Sequence, residues 1–163
     1  MSRCDRQIKL TEVGTEGQKK LRNAKVLLVG VGGLGCPAAM YLAGAGVGEI
    51  GLMDHDKVDM SNLHRQVLFQ ESDVARSKAV VAKEQLEKQN SEVQFKVYEE
   101  PLTAENAENI INQYDVVLDG TDNFETKYLI NDACILTDKP WVFASIYKNE
   151  GQLSVFNYED GPT

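Results

Sequence analysis

The stretch Lys25-Val26-Leu27-Leu28-Val29-Gly30-Val31-Gly32-Gly33-Leu34-Gly35-Cys36-Pro37-Ala38-Ala39-Met40 decides the fold. It opens on a short apolar, β-branched run, the pattern of a strand buried on both faces. It then passes through the glycines Gly30, Gly32, Gly33 and Gly35 and continues into residues that favour a helix. Pro37 suits a first helical turn, where its missing N–H costs nothing. Glycines at such a strand-to-helix junction let the backbone turn tightly. They also let an anion approach the N–H groups at the helix start. A glycine pattern alone is weak evidence; its place between a strand and a helix gives it meaning.

Working outward, Glu49-Ile50-Gly51-Leu52-Met53-Asp54 reads as the next strand. Asp54 follows Gly35 at the distance where a ribose-binding acid is expected. The bland alternative is a solvated carboxylate at a strand end, and the placed glycine loop favours the ribose role. No Arg directly follows Asp54, so a 2′-phosphate is not suggested.

Strand and helix patterns then alternate. Residues 3–23 read as an extended lead and a short helix around 14–22, and residues 55–73 as a loop. Lys78–Gln89 reads as an exposed, charged helix with Val80, Val81 and Leu86 inward, and Val93–Tyr98 as a strand. Thr103–Gln113 is a helix with a Thr cap, Asp115–Asp119 a buried strand, and Asn123–Leu136 a helix that Lys139-Pro140 stops. Trp141–Tyr147 and Gly151–Tyr158 form a hairpin through Lys148-Asn149-Glu150. The expected fold class is α/β and Rossmann-like, a mostly parallel sheet with helices on both faces and an antiparallel hairpin at the C-terminal end.

With 163 residues the chain is long enough for one domain with a real core. Hydrophobic residues are 42% and charged residues 26%, as in globular proteins generally. No run approaches a membrane span, and Met1–Arg6 lacks the apolar core of a signal peptide, so a cytoplasmic site is expected. A net charge of −8 argues against a general nucleic-acid binder. Cys4, Cys36 and Cys134 form no C-x-x-C pair, so neither zinc ligands nor a disulfide framework is expected within this chain. Cys36 lies near a helix N-terminus, which lowers a thiol pKa, but a small packed residue is the favoured reading.

Two further segments carry chemistry. Ser61-Asn62-Leu63-His64-Arg65-Gln66 is a polar, cationic loop that a dehydrogenase does not need, and Lys78 opens the following helix. Arg clamps phosphate oxygens with paired N–H groups and Lys supplies a point charge. Taken alone, each is more readily a solvated surface group. Asp119-Gly120-Thr121-Asp122-Asn123 ends a strand on the side where α/β sheets bind ligands. There Asp122 is either a Mg²⁺ ligand beside a triphosphate or a helix cap, a role equally open to Thr121 and Asn123.

As an ordered set, Arg3-Cys4-Asp5-Arg6-Gln7-Ile8, the glycine loop, Asp54-His55-Asp56, Ser61 to Gln66, Lys78 and Asp119 to Asn123 closely resemble the MoeB/ThiF/HesA family, bacterial relatives of ubiquitin-activating enzymes. The resemblance covers essentially the whole chain. It implies an ATP- and Mg²⁺-dependent adenylyltransferase that activates the C-terminal glycine carboxylate of a small ubiquitin-like sulfur-carrier protein, of the molybdopterin or thiamine pathway type. It assigns nucleotide contacts to Gly30, Gly32, Gly33, Gly35, Asp54, Asp56, Ser61, Asn62, Arg65, Lys78, Asp122 and Asn123. Arg65, Lys78, Asp122 and Arg6 would carry the reaction, with Asp122 on Mg²⁺ and Arg6 reaching the neighbouring subunit of a homodimer.

Two departures from the family pattern are mild: Cys4 stands where relatives commonly carry Tyr, and Gly120 where others often have Cys or Ala. Length is the larger one. Relatives continue with a cysteine-bearing second half, so residues 1–163 are expected to be a single adenylation domain truncated at its C-terminus. The competing readings are a non-catalytic nucleotide-binding scaffold of the same family, a relative acting on a modified tRNA base, and an NAD-dependent oxidoreductase. The last leaves Asn62-x-x-Arg65 and Lys78 unexplained.

Overall fold

The computed structural model describes residues 3–159 together with Gly161 and Pro162. In chain order its elements are α1 (Asp5–Ile8), α2 (Gly14–Asn23), β1 (Lys25–Val29), α3 (Gly35–Ala45), β2 (Glu49–Met53), α4 (Lys78–Gln89), β3 (Gln94–Tyr98), α5 (Ala107–Ile111), β4 (Val116–Asp119), α6 (Phe124–Leu136), β5 (Trp141–Tyr147) and β6 (Glu150–Phe156). Single 3₁₀ turns at Met60–Asn62 and Glu71–Asp73 punctuate the long β2–α4 connection.

The described residues form a six-stranded sheet in the order β3-β2-β1-β4-β5-β6. All neighbours are parallel except β5 and β6, which run antiparallel. Strand alternation sends Val26, Leu28, Ile50 and Leu52 to one face, where α3 and α4 cover them with Ala39, Ala43, Val81 and Leu86. Leu27, Val29 and Val117 turn to the other face, against Ile110 and Ile111 of α5 and Ile130 and Cys134 of α6. Trp141 stacks on Phe156 at 5.3 Å and closes the hairpin end of that core. No helix among the described residues is long and apolar enough to cross a membrane.

The expected α/β architecture, with its two covered faces and terminal hairpin, is the one observed. Differences lie at element ends. Residues 5–8 form a helical turn rather than an extended lead. The helix expected from Thr103 starts at Ala107, because the Thr103 N–H donates to the Asn106 side chain at 2.8 Å and a turn precedes the helix. Tyr147 pairs with Glu150, so the hairpin turn shrinks to Lys148-Asn149.

Candidate nucleotide site

A cavity of about 440 Å³ opens beyond the carboxyl ends of β1, β2 and β4, on both sides of the point where the strand order reverses. The loop after β1 forms its floor. Gly35 is held there by packing: a Cβ on it would lie 2.0 Å from the Gly30 carbonyl oxygen. Gly120, after β4, touches the same loop, and its Cβ would lie 2.5 Å from that oxygen. In this chain the Gly120 departure therefore matches a backbone-to-backbone contact between two site loops.

Asp54 directly follows β2 and is 9% exposed. One carboxylate oxygen accepts the Val31 N–H and the other the Asp56 N–H, each at 2.8 Å. Burial raises its pKa, and the two backbone donors oppose that shift. A carboxylate offers about four acceptor positions, so two stay open toward the cavity. Lys78, 5% exposed, donates to Asp56 at 2.8 Å from its Nζ and at 3.0 Å from its backbone N–H. The Lys78 hydrogen bond holds the Asp56 carboxyl below the usual carboxylate range.

Arg65 lies across the glycine loop. Its Cγ and Cδ are 3.5 Å from where a Gly33 Cβ would sit. Its guanidinium donates to Asn62 Oδ1 at 2.9 Å and to the Ser61 carbonyl at 3.5 Å, fewer contacts than its five N–H donors allow. Ser61 and Asn62 do not line the cavity; they brace Arg65, with the Ser61 N–H and hydroxyl held by Asp59.

Three helices aim their N-termini here. Gly33 and Leu34 precede α3, Lys78 begins α4, and Asn123 and Thr126 open α6. Such termini carry unpaired N–H groups and partial positive charge, so together they favour an anion. Asn123 caps α6, accepting the Thr126 N–H at 2.9 Å. That settles the cap in favour of Asn123. Asp122 remains exposed in the cavity wall with no hydrogen bond or ion pair among the described residues.

Of the expected residues, Gly30, Gly32, Gly33, Asp54, Asp56, Arg65, Lys78, Asp122 and Asn123 line the cavity. Arg6 does not. Gln7 beside it donates to the Ala45 carbonyl, at the far end of α3, an α3 length of roughly 16 Å from the glycine loop. The structure adds residues that sequence reading passed over. Gln66 is buried against the loop, its Nε2 3.6 Å from a Gly32 Cβ position and its Oε1 without a partner among the described residues. Its adjacency to Arg65 was the available signal. Thr121 and the β5 residues Ser145 and Ile146 also line the cavity. Cys36 is a packed core residue, its thiol pushed by burial up to about 11.

Comparison with known proteins gives a concordant answer. Residues 4–163 match the ThiF family. The chain is 51% identical to "Adenylyltransferase and sulfurtransferase MOCS3" of Culex quinquefasciatus, over 99% of this chain and 37% of that protein. It is 49% identical to "Probable adenylyltransferase/sulfurtransferase MoeZ" of Mycobacterium tuberculosis, over 99% of this chain and 41% of that protein. It thus spans about two fifths of the length of these relatives. Among solved structures, E. coli MccB with AMPCPP and MccA superposes with a TM-score of 0.80 at 31% identity, over 89% of this chain and 43% of that one. With a glycine-loop cavity, a parallel sheet and this similarity over nearly all of its length, the chain belongs to the ThiF family.

Proposed function

We propose that this chain is the nucleotide-binding part of an ATP-dependent adenylyltransferase that activates the C-terminal glycine carboxylate of a small ubiquitin-like sulfur-carrier protein. The observation that carries the reading is the convergence of three helix N-termini, Arg65 and Lys78 on one cavity floored by glycines, with Asp54 at its edge. The names of the two relatives, and the ATP analogue held by E. coli MccB, support it. No relative described above is an oxidoreductase.

In this reading the ribose hydroxyls donate to the open acceptor positions of Asp54, and the phosphates lie between the glycine loop, Arg65 and Lys78. The carrier's carboxylate oxygen attacks the α-phosphorus, the bond from that phosphorus to the bridging oxygen breaks, and pyrophosphate leaves with its electrons. No protein nucleophile is needed. Arg65 and Lys78 neutralise charge growing on the leaving group, and the loop N–H groups fix the phosphates for in-line attack.

Asp122 is the carboxylate assigned to Mg²⁺ in this reading; Asp54, His55 and Asp56, whose ligand atoms lie within 4.8 Å of one another, are the other group of metal-ligating type at the site among the described residues. Both Asp54 oxygens accept backbone N–H groups and Asp56 is engaged by Lys78, whereas Asp122 faces the cavity uncommitted among the described residues. When bound, Mg²⁺ supplies charge neutralisation on the phosphates. Arg6 serves the neighbouring subunit's phosphates in a homodimer, since it stands a helix length from its own loop. A cytoplasmic location belongs to the same reading.

The test is titration calorimetry of Mg·ATP with the wild type and Arg65→Ala. Arg65 is exposed and bonded within one loop, so the variant keeps its fold. Loss of one to two charge-assisted contacts, at about 1.5–3 kcal/mol each, lowers affinity at least ten-fold. A folded Arg65→Ala that binds Mg·ATP like the wild type overturns the assignment.

A further inference from the structure

We infer that Lys127 is a positioning residue of the adenylation site: its buried ammonium ties the end of β4 to β5 and thereby fixes the loop carrying Asp122 against the glycine loop. The inference rests on the adenylation reading above and adds to it a residue that never touches the cavity.

Lys127 lies one turn into α6, with its side chain 7% exposed. Its Nζ donates to Asp119 Oδ2 at 2.9 Å and to the Ala144 carbonyl at 2.8 Å, and stands 4.9 Å from the Phe143 ring centroid. Asp119, the last residue of β4, is fully buried. Its second oxygen accepts both the N–H and the hydroxyl of Thr121, at 2.8 and 2.7 Å. One carboxylate thus grips the outgoing loop on one side and α6 on the other. Gly120, between them, presses on the Gly30 carbonyl. The loop then delivers Asp122 to the cavity and ends at Asn123, which caps the same helix that bears Lys127. Asp119, Thr121, Asn123 and Lys127 therefore close a ring around the loop. Through Ala144 the ring also reaches β5, whose next residues, Ser145 and Ile146, line the cavity mouth.

A buried ion pair is a poor way to gain stability, because desolvation consumes most of the attraction and apolar residues of similar size do as well. What the ammonium contributes is direction. It holds three segments from two strands and a helix at fixed angles, in the segment whose carboxylate is assigned to the cation on the phosphates. Misplacement by about 1 Å in such a site costs on the order of a hundred-fold in rate. A side chain that served only the fold would affect every ligand of the cavity alike. A positioning residue for the phosphate end affects the phosphates selectively.

The experiment compares binding of Mg·ATP and of adenosine, which lacks the phosphates, by calorimetry, with a thermal melt for each protein. The variants are Lys127→Met, Lys127→Arg and the pair Asp119→Asn with Lys127→Met. The pair leaves no unpartnered buried charge and keeps the test alive if the first variant does not fold. Lys127→Met or the pair should weaken Mg·ATP roughly ten-fold or more while adenosine shifts less than about three-fold. Lys127→Arg, which can still donate to both oxygens, should restore Mg·ATP to within about three-fold of the wild type. Mg·ATP binding unchanged in the charge-deleted variants overturns the inference, as does an equal loss of both ligands. A wild type that binds adenosine but gains nothing from the triphosphate overturns the adenylation reading itself, and this inference with it.

Discussion

Asp54→Asn should destabilise the protein before any nucleotide is present. In the folded chain the two Asp54 oxygens accept the N–H groups of Val31 and Asp56, both at 2.8 Å and in a site 9% exposed. An amide has one oxygen, so one of the two N–H groups must face an NH₂. That removes one hydrogen bond to a charged acceptor, about 1.5–3 kcal/mol, and leaves a buried donor without a partner. The surviving bond loses its charge assistance and weakens by roughly half. Relief from burying a carboxylate, the same desolvation that raises the Asp54 pKa, offsets part of this. The balance is a loss of about 2–4 kcal/mol. At about 2–4 °C per kcal/mol for a chain of this size, the melting temperature should fall by about 4–16 °C. Circular dichroism melts without nucleotide read the shift, and amide hydrogen exchange at Val31 should lose protection locally. A variant that melts within about 2 °C of the wild type, with the Val31 amide still protected, would refute the idea that Asp54 clamps the glycine loop.

Gly35→Ala forces a Cβ to within 2.0 Å of the Gly30 carbonyl, so the loop must move; a loss of about 3 kcal/mol or more and of nucleotide binding is expected in melts and calorimetry. Gly151→Ala, whose nearest neighbour would be the Ser145 carbonyl at 4.0 Å, should melt like the wild type, and an equal effect from both would exclude the clash as the cause. Burial lifts the Cys36 and Cys134 thiols from an ordinary 9.0 to about 11 and about 12. Above pH 9 the unfolded chain therefore releases these protons first, and stability should fall as pH rises toward the folded values. Urea midpoints at pH 8 and 10 read this fall, and a flat profile would exclude it. In the native protein both thiols should resist alkylation until the chain unfolds.

The fold was legible because β1, β2 and β4 are largely apolar runs and Gly30, Gly46, Gly120 and Pro140 sit at element ends. Val26 to Val29 needs both faces covered, and that requirement alone calls for helices above and below. The cavity-lining positions of Arg65, Lys78 and Asp122 were legible because these residues lie next to punctuation that fixes which end of the sheet they occupy. Local hydrogen-bond competition was not. The Asn106 side chain takes the Thr103 N–H and delays α5, and Asn123 rather than Asp122 captures the α6 N–H groups; two polar residues side by side in sequence give no sign of which will win. Lys127 shows a deeper limit. On a helix pattern it reads as one more solvated cation. Its burial follows from α6 folding back on β4, which puts Asp119 within 2.9 Å, and only the tertiary structure makes that pairing.

The charge in the cavity bears on how much of the proposed adenylation site this chain supplies. Its wall carries the acids Asp54, Asp56, Glu100 and Asp122 against the cations Arg65 and Lys78, in a protein of net charge −8. Lys78 is already engaged by Asp56, so one cation, Arg65, faces the cavity without an acidic partner among the described residues. A triphosphate adds more negative charge to an acidic wall, and oriented N–H groups at three helix ends provide only partial positive charge. Under the proposed function, positive charge brought in with the ligand or from another chain would balance it. Both demands coincide with residues that have no use for their charge inside the described fold: Asp122, exposed and unpaired toward the cavity, and Arg6, exposed a helix length away. A divalent cation at the first and a second subunit presenting the second would complete electrostatically what one chain leaves short. On the proposed function, that shortfall is a physical argument for Mg²⁺ and a dimer together, rather than either alone.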